Sequence, residues 1–346
     1  PQHRGSLEAV VELQTLAGQW RAVTAAKQAL LGVVDEEERF SLLVECGDLF
    51  AERLQSPDDA IESYKAAVEL RPDDRVLLHR LLELLTSRQR WDEALRTMLR
   101  IAELEPAPAL RARYFYTAAI LCRDELDDIE RSLDLFNQTL DCAPDQLKAF
   151  EAVDRMLTAR KDWAGLERSY RKMIKRLPDP AAEPKLAAML WHNLGEVYRT
   201  RMKRRDEAIV AFEQAVTLQP KNDQGHEILA ELYELCGAGG LDKAINEHQT
   251  LLSRTPLRQE SLLALRRLYA GAGQLDSAFC VAAALRLLGK AGGEEQQLYQ
   301  QRWQRQPRRA AARITDALWN EQILHRSQDR RIGALLAAVA LSLIHI

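Results

Sequence analysis

Seven histidines and five cysteines are the residues of this 346-residue chain best suited to ligate a metal or to act as base or nucleophile. The histidines are His3, His79, His192, His226, His248, His325 and His345, and none stands in His-Glu-x-x-His or another ligand spacing. His226-Glu227 and His248 come nearest to a constellation, because the helical pattern puts them in two neighbouring helices. His248, however, fills an aromatic core position and reads as a packed residue. The cysteines, Cys46, Cys122, Cys142, Cys236 and Cys280, are odd in number and form no Cys-x-x-Cys pair. Read as small core side chains in a reducing compartment, they favour the cytoplasm over a disulfide framework. Gly237-Ala-Gly-Gly240 and Gly271-Ala-Gly273 lack the preceding strand and the following Lys-Ser/Thr of a phosphate loop, so they read as turns. No catalytic residue, cofactor or metal site is expected.

What remains is the chemistry of binding. A net charge of −3 on a chain that is 47% apolar and 29% charged gives no overall attraction to nucleic acid or to an anionic membrane. Arg302, Arg305, Arg308, Arg309 and Arg313 surround Trp303. One short basic run without a recognisable nucleic-acid fold reads as a solvated helix face, and no nucleic-acid partner is expected.

The elements that would carry a binding surface are helices in a repeating frame. Trp191, Leu194, Gly195 and Tyr198 are followed by Ala208, Phe212, Ala215 and Pro220. The second half recurs at Ala60, Tyr64, Ala67, Pro72; at Ala94, Met98, Ile101, Pro106; and at Ser132, Phe136, Thr139, Pro144. It continues at Leu166, Tyr170, Met173, Pro178 and at Ala244, His248, Leu251, Pro256, with worn copies from Val23 and from Ala278. The six prolines are 34, 38, 34, 42 and 36 residues apart. A small residue, a large one four later and an apolar one three beyond share a helix face, and proline then ends the connection. The first helices carry their own stripes, Leu42, Cys46, Leu49, Phe50 and Leu78, Leu81, Leu82, Leu85.

This frame resembles the tetratricopeptide repeat family, most fully over Lys185–Pro220 and in degenerate form over roughly residues 7 to 290. The resemblance implies an all-α, right-handed α-solenoid of about seven to eight helix-turn-helix repeats. Trp20, Trp91 and Trp163, spaced by 71 and 72 residues, add a two-repeat period. The copies between them carry longer charged turns, at Gln55–Asp59, Asp127–Arg131 and Lys203–Glu207. An alternating surface and the duplication of a two-repeat unit with tryptophan in the core both account for the period.

In this family the first helix of each repeat lines an inner groove that receives peptides. Carried over position by position, the groove would include His79, Arg80 and Glu83; Arg113, Tyr116 and Arg123; Lys148, Glu151 and Arg155; His192, Asn193, Glu196 and Arg199; and Glu227, Glu231 and Glu234. Its middle tends basic and its later end acidic, which suits a protein or peptide partner with an acidic segment. The i,i+4 pairs Glu151/Arg155 and Glu227/Glu231 also fit ordinary solvated faces. The carboxylate-clamping members of the family need a Lys, Asn and Arg set of which only Asn193 is present. The function implied is a protein-interaction scaffold; the alternative is a repeat arm of a larger protein whose catalytic or membrane domain lies beyond the last residue.

Residues 1–290 are expected to form the solenoid, 291–330 a helical cap or connector, and 331–346 a separate apolar end. The chain starts at Pro1, and Arg330-Arg331 precede an uncharged run, Ile332 to Ile346, short of the roughly twenty residues a membrane helix needs. That run reads as a further buried helix, a truncated membrane helix or foreign sequence, and no membrane contact is expected for residues 1–330. The whole is expected to be a bacterial chain and a fragment of a longer one.

Overall fold

A computed structural model of the chain describes residues 3–177, 179 and 182–305. The apolar end, most of the expected connector, Pro178, His325, His345 and the arginines from Arg308 to Arg313 lie outside the described residues. The described elements are all helical, and they fall into two compact units, Pro1–Ser169 and Tyr170–Ile346.

In the first unit, α1 (Arg4–Leu16) packs on α2 (Trp20–Leu30), α3 (Glu36–Glu52) on α4 (Pro57–Leu70), α5 (Arg75–Ser87) on α6 (Trp91–Leu104) and α7 (Pro108–Asp124) on α8 (Ile129–Cys142). Then come α9 (Leu147–Ala159) and α10 (Trp163–Arg176), which ends in the second unit. In the second unit, α11 (Pro184–Glu196) runs into a π-helical turn, Val197–Met202, and packs on α12 (Arg205–Leu218). There α13 (Asp223–Leu235) pairs with α14 (Leu241–Arg254), α15 (Gln259–Gly271) with α16 (Leu275–Leu287), and α17 (Gly293–Arg305) follows.

The frame residues of the second helices are the core of each pair. Ala60, Ala94, Ala208, Ala244 and Ala278 have no exposed surface, and neither do Phe136 and Phe212. Where the small residue is Ser132, its hydroxyl donates to the Ala119 carbonyl at 2.8 Å, so the buried polar atom is satisfied. Two glycines let the helices of a pair close up. A Cβ on Gly195 would sit 2.8 Å from Phe212, and one on Gly47 would sit 2.9 Å from Tyr64 Cζ and closer still to Cδ1 and Cε1.

As far as α9 the two-repeat period is an alternation of helix length and turn type. Helices α1, α5 and α9 have 13 residues, whereas α3 and α7 have 17; α13 and α15, both of 13, do not continue it. The shorter ones end in a Schellman closure, as where Arg90 N–H bonds to Leu85 O and Gln89 N–H to Thr86 O. The longer ones close with a wider bond, Ser56 N–H to Phe50 O and Asp128 N–H to Cys122 O, and Arg204 N–H to Tyr198 O after the π turn repeats it. A left-handed residue stands two before the second helix in both types: Gly18, Gln55, Gln89, Asp127, Lys161, Lys203 and Gly273. Of the residues read from sequence as longer turns, the first two of each set stay in the turn and the last three open the second helix. Trp20, Trp91 and Trp163 each begin a second helix after a short closure and are half-buried.

Helix α17 docks on the last pair. Tyr299 stacks on Phe279, ring centroids 5.5 Å apart, and Arg286 lies 4.3 Å over the same Tyr299 ring. Buried Glu295 pairs with Arg266 at 2.8 Å and accepts the Gly292 N–H at 2.9 Å, which caps the helix start. Cys46 and Cys122 are buried, and burial pushes the Cys46 thiol up to about 11. Cys280 departs from the expected core role: it is exposed, because Ala278, Ala282 and Leu285 form the inward face of α16 and Cys280 points elsewhere. No helix among the described residues is long and apolar enough to cross a membrane.

Candidate partner-binding site

The groove residues expected from the sequence all lie on first helices or, for Arg199, on the π turn that extends one. Their side chains differ in what they already hold. In the first unit, Arg80 Nη1 is 2.7 Å from Asp48 Oδ1, and the same carboxylate oxygen accepts the Tyr64 hydroxyl at 2.5 Å. Arg123 bonds to neighbouring Asp124, and a His79 ring nitrogen is 2.8 Å from the Tyr114 hydroxyl. Tyr116 is half-buried with its ring edge-on to Phe136.

Arg113, Lys148 and Arg155 behave differently. All three are exposed, and among the described residues none has a carboxylate partner. Arg155 Nε reaches only the backbone carbonyl of Glu151, at 3.3 Å, so the i,i+4 ion pair does not form. Several other arginines of the unit are neutralised, among them Arg88 by Asp58, Arg100 by Asp73, Arg160 by Glu130 and Arg75 by buried Glu105. Glu83 and Glu151 are exposed and likewise without a basic partner.

In the second unit, Arg199 Nη2 donates to both carboxylate oxygens of Glu196 at 3.0 Å. His192 packs edge-on against Phe212 with ring centroids 5.2 Å apart. It is therefore a half-buried packing residue. Burial lowers its pKa from 6.5, and its Nδ1 has no hydrogen-bond partner among the described residues. Asn193 is half-buried beside it in sequence. On α13, Glu227 pairs with Arg258 at 2.8 Å, and Glu234 meets Arg267 at 3.4 Å and His248 at 3.1 Å. Glu231 alone of these three is exposed and unpaired among the described residues.

Two histidine arrangements were not legible in the sequence. His248 bridges Glu234 Oε1, at 3.1 Å, and Ser261 Oγ, at 3.3 Å, in the order of a hydrolase triad. Ser261 has no exposed surface, so no substrate carbonyl can reach its hydroxyl. His226 is buried with Nδ1 2.5 Å from Glu247 Oε2 and Nε2 3.0 Å from the Pro220 carbonyl. Glu247 only accepts, so Nδ1 carries a proton, whereas Nε2 lies between an acceptor, the Pro220 carbonyl, and a donor, Arg254 Nη2. The bond to Glu247 raises its pKa above 6.5, against the lowering effect of burial and of Arg254, whose Nη2 is 3.1 Å away. Among the described residues no cluster of His, Cys, Asp and Glu could hold a metal ion.

Residues 189–222, which span most of α11, the π turn and α12, match the family pattern described as tetratricopeptide repeat. No curated protein matches the chain. Similar solved structures include that of MamA, 17% identical over 51% of this chain and 96% of its own, with a TM-score of 0.27. A tetratricopeptide repeat protein from Parabacteroides merdae is 16% identical over 75% of this chain and 97% of its own, with a TM-score of 0.28. YrrB, described as a TPR protein with an unusual peptide-binding site, is 13% identical over 58% and 95%, with a TM-score of 0.28.

Proposed function

Since the chain is a tetratricopeptide-repeat protein, we propose that it is a non-catalytic scaffold whose first helices bind an acidic segment of a protein or peptide partner. The observation that carries this reading is that Arg113, Lys148 and Arg155 stand exposed on the first helices α7 and α9 with no carboxylate partner among the described residues, whereas Arg75, Arg80 and Arg123 on first helices of the same unit are paired. An exposed cation without an internal partner breaks no ion pair to receive a carboxylate, and a charge-assisted bond to it is stronger than a neutral one. Arg80 and Arg123 would have to exchange existing exposed pairs, each worth about 0–1 kcal/mol, so they stay available at small cost. Glu231 offers the opposite charge in the second unit. The docking of α17 through Tyr299 and Glu295 supports a capping role for the segment that begins at residue 291.

The test is fluorescence anisotropy with a labelled Asp/Glu-rich peptide and a neutral control of the same length. Binding of the acidic peptide that drops with Arg113→Glu/Arg155→Glu and with added salt supports the reading. Equal affinity for the two peptides, or no effect of the double reversal, sinks it.

A further inference from the structure

An open cleft lies along α11, on another side from His192, Asn193 and Glu196. Trp191, Leu194 and Tyr198 are three and four residues apart, so they share one side of α11 and its π extension. They floor a cleft of about 500 Å³, walled by Ile174 of α10 and by Val210 and Ala211 of α12. Val210 is 53% exposed and Trp191 is half-buried, so the cleft presents open apolar surface. Tyr198 is fixed in the floor, its hydroxyl accepting from Arg171 Nε at 3.0 Å and Nη2 at 2.9 Å.

The lips carry opposite charges. Lys175 on α10 is exposed, as are Asp206 and Glu207 on α12, and among the described residues none of the three has an ion-pair partner. The basic and acidic lips thus stand apart without bridging each other. An apolar trough with exposed walls suits helix-in-groove recognition, and lips of opposite sign fix the direction in which an occupant lies.

We propose that this cleft docks an amphipathic peptide helix of a protein partner, which inserts one or two large aliphatic or aromatic side chains between α10 and α12. The helix sets a carboxylate against Lys175 and a lysine or arginine against Asp206 and Glu207. The site is independent of the acidic-peptide surface of the first unit, so either can fail without the other.

The experiment pans a phage-displayed library of random dodecapeptides on the full chain, then measures synthetic winners against variants whose fold is checked by circular dichroism. Winners are expected to share an apolar anchor flanked by acid on one side and base on the other. They should lose about tenfold or more in affinity on Val210→Glu, which sets a charge against the anchor. Lys175→Glu/Glu207→Lys should prefer the same anchor with its flanking charges exchanged, and Arg113→Glu/Arg155→Glu should bind the winners as the wild type does. The proposal is overturned by winners that bind Val210→Glu undiminished, by indifference to the charge exchange, or by a panning that returns no peptide sensitive to Val210→Glu.

Discussion

Gly47→Ala tests the packing that sets the helix pairs at their spacing. Gly47 lies in α3, where alanine gains about 1 kcal/mol of helix propensity over glycine. The added methyl meets the Tyr64 ring, which is 3% exposed and enclosed by the pair. Overpacking of that kind costs about 1–3 kcal/mol. The ring cannot swing aside freely, because its hydroxyl donates to Asp48, and a lost bond to a charged acceptor costs about 1.5–3 kcal/mol more. The net loss is roughly 1.5–5 kcal/mol once the propensity gain is set against these costs. Gly195→Ala meets Phe212, which has no hydrogen bond to break, so its loss should be smaller. Gly271→Ala, at the exposed end of α15 with its nearest neighbour 4.0 Å away, should be neutral or slightly stabilising. Because repeat arrays can open pair by pair, the assay is hydrogen exchange of α3 and α4 amides beside urea melts. Wild-type protection in Gly47→Ala, or a larger loss at Gly195 than at Gly47, would refute the reasoning. The same variant should also disturb Arg80, which shares Asp48 with Tyr64.

Other predictions follow from the turns, the histidines and the last helix. His226 should titrate above His192 in NMR, since one is held protonated by Glu247 and the other is depressed by burial. The contribution of His226 to stability is full below its unfolded pKa of about 6.5 and is lost as pH rises through its higher folded value. Hydrogen exchange in α13 and α14 should therefore quicken above that value, and His226→Gln should remove the dependence; the reverse titration order would contradict the geometry. Gln89→Gly should stabilise by about 0.5–1 kcal/mol in urea melts, because a left-handed residue with a side chain is strained where glycine is not. Tyr299→Ala should free α17, seen as loss of amide protection there while α15 and α16 hold; unchanged protection would count against the stack on Phe279 as its anchor.

Much of this fold is readable from the chain because the second helices repeat a small-large-apolar face, and those positions are the ones fully buried: Ala60, Ala94, Phe136, Ala208, Phe212. The alternation of turns was visible only as the spacing of Trp20, Trp91 and Trp163 and the longer charged turns between them. Its cause lies in backbone closures of two lengths, which side-chain spacing does not encode. The candidate binding face was legible as positions but not as states. Which arginines are spent depends on partners in neighbouring repeats, 30 residues away for Arg88 with Asp58 and for Arg160 with Glu130. An acid 30 residues before a base was a signal that could have found those pairs. The apolar cleft was hidden because Trp191, Leu194 and Tyr198 are also packing residues of the repeat frame, and only the exposure of Val210 on α12 beside half-buried Trp191 reveals it.

The central claim is that exposed, unpaired cations on α7 and α9 receive an acidic partner segment. The most direct measurement is a charge exchange: the affinities of wild type and of Arg113→Glu/Lys148→Glu/Arg155→Glu for a glutamate-rich peptide and for its lysine-rich counterpart, at low and high salt. The wild type should prefer the acidic peptide, the triple variant should prefer the basic one, and both preferences should fade with salt. An acidic preference that survives the exchange would contradict it.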